Sequence, residues 1–215
     1  MNVGEVRRET RELLAGQWTP LIPINFMYLL ILMAPTAIFR GNATWLGAII
    51  SLILGGPMTL GYTKIILKVY HREPYELGQL FDGFKDFGRS LSAYLLMLLY
   101  VFLWTLLLIV PGIIAALSYS MVFFLLAENP QLQASEALRQ SKEMMVGHKW
   151  DLFRLILSFI GWIFLSILSF GIGYLWLESY IYVAYANFYY KIKGQPEEEI
   201  LQPGEYIIEG QEANQ

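Results

Sequence analysis

One acidic residue, Glu178, lies within a long apolar stretch, where an ionisable side chain is costly and therefore marks a candidate functional site. Its carboxyl group could relay protons or bind a cation. No basic residue lies at the same level of that stretch, whereas tyrosine and serine side chains are close in sequence. A protonated carboxyl group hydrogen-bonded to these hydroxyls is the alternative, and the sequence favours it.

Glycine and proline interrupt other apolar stretches. Gly55, Gly56 and Pro57 fall together in one stretch, and Pro111 and Gly112 divide another. Broken helices leave backbone groups with which transporters build substrate sites. Because glycine and proline are also common in membrane helices, we expect a packing kink at 55–57, with a cavity as the alternative. We expect a helix break at Pro111 and Gly112.

Four basic residues are candidates for contact with the phosphates of lipid headgroups. Lys64 and Lys68 are four residues apart and therefore share one face of a helix near the inner boundary. Arg139 and Lys142 lie on a predicted amphipathic helix. Long basic side chains also extend towards headgroups without forming any pocket, which is the alternative for the two lysines.

The sequence lacks the residue combinations on which most catalysis depends. It contains no cysteine and two histidines, His71 and His148, and the surroundings of His148 match no metal-binding motif. Phosphate-binding glycine loops and nucleophile elbows do not occur either. We therefore expect no enzyme activity and no cofactor or metal. A net charge of -3 is also no signal for nucleic acid.

The elements that position these residues follow from composition. Hydrophobic residues make up 56% of the chain and charged residues 15%, against about 25% charged in a soluble domain. A spanning helix needs about 20 mostly apolar residues. We predict an all-α membrane protein with six transmembrane helices in three hairpins, each preceded by a cytoplasmic amphipathic helix. The predicted spans are 19–39, 45–66, 90–110, 113–127, 152–170 and 174–190.

The basic residues predict the orientation. Of 15 lysines and arginines, all except Arg40 fall in the first segment, in the two inner loops with their flanks, or after the last span. Cytoplasmic loops carry the excess of basic residues, so both termini are predicted to be cytoplasmic. Residues 194–215 contain six glutamates and no basic residue, which is typical of a disordered, solvated tail.

The chain also repeats itself. The run EVRRETRELLAG at 5–16 is similar to EALRQSKEMMVG at 136–147, and the stretch 80–88 occupies the corresponding place in the middle. We predict three units, about 5–70, 76–128 and 136–191, within one transmembrane domain of residues 1–193. Convergent composition of interfacial helices is the alternative.

Several of these segments form a recognisable pattern. It consists of GGPMTLG at 55–61, LFDGFKDFG at 80–88, IVPGII at 109–114 and SKEMMVGHKW at 141–150. The pattern resembles the bacterial integral membrane family known as domain of unknown function 975, over residues 3–193. The resemblance implies a bacterial cytoplasmic membrane and no established activity, so no functional residues are transferred.

These observations favour a non-catalytic membrane protein that acts as a scaffold, in the cell envelope or through lipid contacts, with membrane lipids as its partners. A small transporter or channel for a solute, ion or lipid is the alternative. A polar cavity at Glu178, Gly56 and Pro57 would favour transport, and grooves at the inner leaflet would favour lipid binding. The sequence leaves the oligomeric state open.

Overall fold

The computed structural model describes residues 2–169 and 171–194, apart from the side chain of Asn42. Most of the predicted acidic tail, residues 195–215, lies outside the described residues. All regular elements within the described ranges are helical. The α-helices are α1 (Val3–Leu14), α2 (Trp18–Ile38), α3 (Thr44–Tyr70), α4 (Phe87–Leu107), α5 (Ile109–Ser118), α6 (Val122–Glu128), α7 (Ala134–Met144), α8 (Lys149–Leu157), α9 (Ile160–Leu168) and α10 (Tyr174–Lys193), with 3-10 segments at Gly41–Ala43 and Leu77–Asp86.

Among the described residues, five segments are long and apolar enough to cross a membrane. They correspond to the first five predicted spans and comprise Trp18–Ile38, Thr44–Tyr70, Leu77–Leu107, Ile109–Glu128 and Lys149–Leu168. The sixth predicted span forms α10, which has 20 residues but is less apolar, because it carries Glu178, Ser179 and Asn187. Half of the residues of α10 are buried against protein, and these three polar residues are among them. Their side chains therefore do not contact lipid.

Helices α3, α6 and α10, which we call the returning helices, form the centre of the bundle. Aromatic rings join them: Tyr70 of α3 stacks on Tyr190 of α10 with centroids 4.3 Å apart, and Phe124 of α6 stacks on Tyr189 at 5.5 Å. The outgoing helices α2, α4 and α9 lie outside and expose large apolar side chains. Apolar side chains on the outer surface suit a bundle that is surrounded by lipid and not by water.

Each segment that precedes a hairpin packs on the returning helix of another hairpin. Helix α1 lies along α10, the 3-10 segment Leu77–Asp86 lies along α3, and α7 lies along α6. The same relationship therefore occurs three times around the bundle. It accords with the three predicted units, although the division of the chain into repeats stays a prediction.

The two glycines and the proline at 55–57 do not break helix α3. Helix α3 continues through Gly55, Gly56 and Pro57 without interruption. A Cβ added to Gly56 would lie 2.6 Å from the carbonyl oxygen of Ser90, and one added to Gly55 would lie 2.7 Å from the ring of Tyr94. The glycines thus permit close contact with α4, and neither they nor Pro57 line any cavity described below.

The second hairpin turns earlier than predicted. The extended residue is Leu108, with φ -164° and ψ 150°, and Pro111 and Gly112 lie in the first turn of α5. Proline is tolerated there because the amides of a first helical turn have no partner in the helix. The predicted position of the break, at Pro111 and Gly112, is therefore wrong by three residues. The same apolar stretch is interrupted a second time at 119–121, between α5 and α6.

Candidate functional site

A cleft of about 460 Å³ lies between α1, the start of α2, α9 and α10. Two arginines of α1, Arg7 and Arg11, line it together with Trp18 at the start of α2. The opposite wall is mainly aromatic and aliphatic and consists of Trp162, Leu165, Ser166, Ser169, Gly173, Trp176, Leu177 and Tyr180. We call this the arginine cleft.

The acidic residues of α1 do not neutralise the two arginines. Glu9 lies 2.9 Å from Lys191, and Glu5 lies 3.8 Å from the same lysine. Glu12 is 3.9 Å from Arg8 on another face of the helix. Within residues 2–169 and 171–194, Arg7 and Arg11 form no ion pair. Arg7 and Arg11 therefore line a mainly apolar cleft without a carboxylate partner among the described residues.

Hydrogen bonds from three side chains of α10, namely Asn187, Tyr180 and Lys191, fix α1 against α10. The Asn187 side-chain amide donates to Glu9 over 2.9 Å and to the carbonyl oxygen of Val6 over 3.3 Å. The Tyr180 hydroxyl donates to the carbonyl oxygen of Arg7 over 3.0 Å. Val6, Leu13 and other apolar residues of α1 are buried by this contact. The arginines are thus held at the cleft by a docked helix.

A second, smaller cleft of about 240 Å³ has the same kind of composition. Lys142 and Lys149 line it beside Trp104 and Pro111, with Ser118 and Tyr119. Lys142 corresponds to Arg11 in the predicted repeat, and α7 lies along α6 as α1 lies along α10. The predicted headgroup residue Lys142 therefore lies beside an apolar groove.

Arg139, the other predicted headgroup residue of α7, is engaged elsewhere. Its guanidinium group contacts Glu136 and lies 3.0 Å from Glu143. The hydrogen bonds from Arg139 lower the pKa of Glu136 to about 2. Arg139 thus belongs to an exposed network on α7 and not to a cleft.

The predicted lysine pair lies in a third cavity of about 560 Å³, which we call the inner basin. Lys64 is 3.2 Å from Asp86, whereas Lys68 has no ion pair within the described part of the chain. Lys193 also lines the basin and lies 2.6 Å from Glu128. Charges of both signs line it, namely Lys64, Lys68, Lys193, Glu73, Asp82 and Glu128. The basin therefore presents little net positive charge to an anion.

A fourth cavity, of about 400 Å³, lies among the three returning helices at the level of the turn between α5 and α6. We call it the central cavity. Most of its lining residues carry hydroxyl groups, namely Tyr28, Thr59, Thr63, Tyr94, Tyr119, Ser120, Tyr182 and Tyr185. Such a lining can hydrogen-bond a small uncharged polar molecule.

Glu178 lies beside this cavity without lining it. The residue is 7% exposed, and its Oε2 atom has no hydrogen-bond partner within residues 2–169 and 171–194. The Oδ1 atom of the fully buried Asn25 also lacks a partner there, whereas the Asn25 amide nitrogen donates to the carbonyl oxygen of Leu175 over 2.6 Å. No group of three or more histidine, aspartate or glutamate residues that could hold a metal occurs in the described ranges.

Sequence reasoning missed Arg7, Arg11 and Asn25. The i, i+4 spacing of the two arginines was available as a signal of one helix face. It did not stand out, because acidic residues alternate with basic ones along α1, and only the tertiary contacts decide which charges are paired. Asn25 gave no signal beyond its polarity in an apolar stretch.

A family model for a protein of unknown function (DUF975) matches residues 1–118 and 105–196, which together cover most of the chain. Neither a curated protein nor a solved structure matches the chain.

Proposed function

The chain belongs to the DUF975 family of proteins of unknown function, and we propose that it is a non-catalytic integral membrane protein that binds anionic phospholipid. The lipid phosphate lies between Arg7 and Arg11, and the acyl chains lie against the apolar wall of the arginine cleft. The membrane is a bacterial cell membrane, and both termini are on its cytoplasmic side.

One observation carries the proposal: two arginines that have no carboxylate partner in the described part of the chain line a mainly apolar cleft that contains tryptophan. Arg7 is half-buried and Arg11 is exposed, so an anion from the headgroup layer can reach both guanidinium groups. A phospholipid supplies the phosphate and the apolar chains together, whereas a soluble anion supplies only the first. Arginine also binds phosphate through two parallel hydrogen bonds.

The orientation supports the same lipid source. The amphipathic segments with their basic residues lie at one end of the hairpins, as the positive-inside rule requires of a cytoplasmic face. The anionic lipids of that leaflet attract basic residues near the surface by about 1 kcal/mol each. Trp18, which lines the cleft at the start of α2, is a residue type that favours the interface.

Lipid retention tests the proposal. Wild-type protein, purified in mild detergent, is expected to retain phosphatidylglycerol over phosphatidylcholine from a mixture of equal parts. Arg7→Gln with Arg11→Gln should weaken phosphatidylglycerol binding roughly 30-fold, because two contacts of about 1 kcal/mol each are lost. Arg8→Gln is the matched control, because Arg8 lies on the same helix but is exposed and pairs with Glu12. Equal retention by the double variant and by the control would refute the proposal.

The central cavity supports a second candidate function, the transport of a small polar solute. Its hydroxyl lining and the helix interruption beside it are features of transporter sites. Solute flux in proteoliposomes tests this candidate. Glu178→Gln should abolish the flux if Glu178 takes part in transport, while lipid retention in the arginine cleft stays unchanged.

A further inference from the structure

We propose that only the first hairpin, α2 with α3, crosses the whole bilayer. The second hairpin, α4 with α5, and the third, α8 and α9 with α10, are re-entrant: they enter from the inner face, turn among the acyl chains and return. This inference revises the six full crossings predicted from the sequence and does not depend on lipid binding in the arginine cleft.

The register between α3 and α10 gives the depth of the third hairpin. Tyr62 meets Tyr182 edge to face at 4.9 Å, and Tyr70 stacks on Tyr190 at 4.3 Å. Both pairs differ by 120 in residue number, so the helices run parallel in fixed register and Tyr174 lies level with Leu54. Helix α3 extends ten residues further, to Thr44, which is about 15 Å. With Thr44 at the outer boundary, the third turn lies near the centre of a hydrocarbon layer of about 30 Å.

The second hairpin is also shorter than the first. Trp104 of α4 and Pro111 of α5, which flank the turn at Leu108, line the same cleft as Lys142 and Lys149. Those two lysines belong to a segment that is predicted to lie on the cytoplasmic side. The second turn therefore lies within reach of lysine side chains of the inner face and not at the outer boundary.

The chemistry of the three turns matches these depths. The first turn also exposes apolar side chains, Ile38 by 73% and Trp45 by 60%, but it contains the charged Arg40, as expected in contact with water. The second turn exposes Leu108 by 65%, and the third exposes Leu168 by 78% and Ile172 by 63%. No charged residue lies between Arg89 and Glu128 or between Arg154 and Glu178. Turns that expose apolar side chains and carry no charge are suited to a hydrocarbon environment.

The backbone of the third turn is suited to a dry environment, where unpaired polar groups cost several kcal/mol each. The Gly171 amide donates to the carbonyl oxygen of Ser166 in α9 over 3.0 Å, and the amides of Ile172 and Tyr174 donate to carbonyl oxygens within the turn over 3.2 and 3.0 Å. The Gly173 amide donates to the hydroxyl of Ser169 over 2.9 Å. In the second turn, Pro111 removes one amide that the start of α5 could not have paired. These bonds satisfy backbone groups of the third turn without water.

The distribution of basic residues does not distinguish the two topologies. A re-entrant hairpin returns to the face from which it entered, as a pair of full crossings does. All basic segments therefore remain cytoplasmic either way, and only the depth of the two turns differs.

Single cysteines test the depth, because the natural chain has none. Arg40→Cys, Leu108→Cys and Ile172→Cys place one thiol in each turn, and Val110→Cys and Leu168→Cys provide a second position if a variant fails to fold. Intact cells are treated with a membrane-impermeant maleimide. Each variant, purified into liposomes, is also spin-labelled for collision measurements with oxygen and with a water-soluble nickel chelate.

The expected result is maleimide labelling of Arg40→Cys from outside and only background labelling at the other four positions. Spin labels at those four positions should collide mainly with oxygen, which concentrates in the bilayer, and the label at Arg40→Cys mainly with the nickel chelate. Labelling of the second or third turn from outside at the rate of Arg40→Cys would overturn the inference, as would nickel accessibility there.

Discussion

The hydroxyl of Ser141 in α7 donates a hydrogen bond over 2.8 Å to the backbone carbonyl of Ser118, the last residue of α5. The same hydroxyl accepts a hydrogen bond over 3.2 Å from the amide of Met121. Both backbone groups lack a helical partner because the chain turns at 119–121. A buried side chain of α7 thus completes the interrupted helix beside the central cavity.

Replacing Ser141 should therefore destabilise the bundle. Ser141→Ala leaves two buried backbone groups without that partner, at a cost of about 1–3 kcal/mol. We expect a lower thermal midpoint in detergent, with partial recovery in Ser141→Thr. Ser92→Ala is the control, because the Ser92 hydroxyl is exposed and bonds within its own helix. Equal midpoints for Ser141→Ala and the control would contradict the assigned role.

Glycine at position 56 should be required for contact between α3 and α4. In Gly56→Ala the new methyl group would lie 2.6 Å from the carbonyl oxygen of Ser90, so we expect a loss of about 1–3 kcal/mol. Gly161→Ala is the matched control, since nothing lies within 4 Å of a Cβ added there. Thermal midpoints compare the two variants, and no loss in Gly56→Ala would show that the helices are less closely packed.

Docking of α1 should control the arginine cleft. Glu9→Ala removes the acceptor shared by Asn187 and Lys191, and we expect α1 to bind less firmly to α10. Retention of phosphatidylglycerol should fall although Arg7 and Arg11 are unchanged. Glu12→Ala, on the exposed pair with Arg8, should retain lipid as the wild type does. If Glu9→Ala retained lipid normally, the cleft would not depend on α1 docking.

The stability of α7 should depend on pH through Glu136. Its folded-state pKa is lowered from 4.5 to about 2 by hydrogen bonds from Arg139. A lowered carboxyl pKa stabilises the fold above the unfolded value, and this contribution is lost as the pH falls from 4.5 towards 2. The difference in thermal midpoint between wild type and Glu136→Gln should shrink over that range. A difference that stayed constant would argue against this pair.

Much of the fold was predictable because it depends on composition along the chain. The apolar stretches identified the helices that can cross a membrane, and five of the six appear with that character. The family was also recognised from local motifs, and the family model confirms it. Helix ends were less predictable, since the turn at Leu108 depends on how α4 and α5 pack and not on Pro111 itself.

The candidate sites were predicted less well than the fold. Lys64 and Lys68 do share a cavity, but the carboxylates of other helices surround them. Arg139 was predicted to contact headgroups and instead pairs with two glutamates of its own helix. Which charges remain unpaired depends on contacts between distant segments, such as Lys191 with Glu9, and no local pattern contains that information.

The sequence by itself determined that this chain is helical and suited to lipid, because hydrophobicity and the position of basic residues act locally and additively along the chain. Only the tertiary structure decided which arginines line a cleft and which carboxyl group has an oxygen without a hydrogen-bond partner in the described part of the chain. Those properties arise from register between helices: the pairs of Tyr62 with Tyr182 and of Tyr70 with Tyr190 align α10 with α3, which lies more than a hundred residues earlier in the chain.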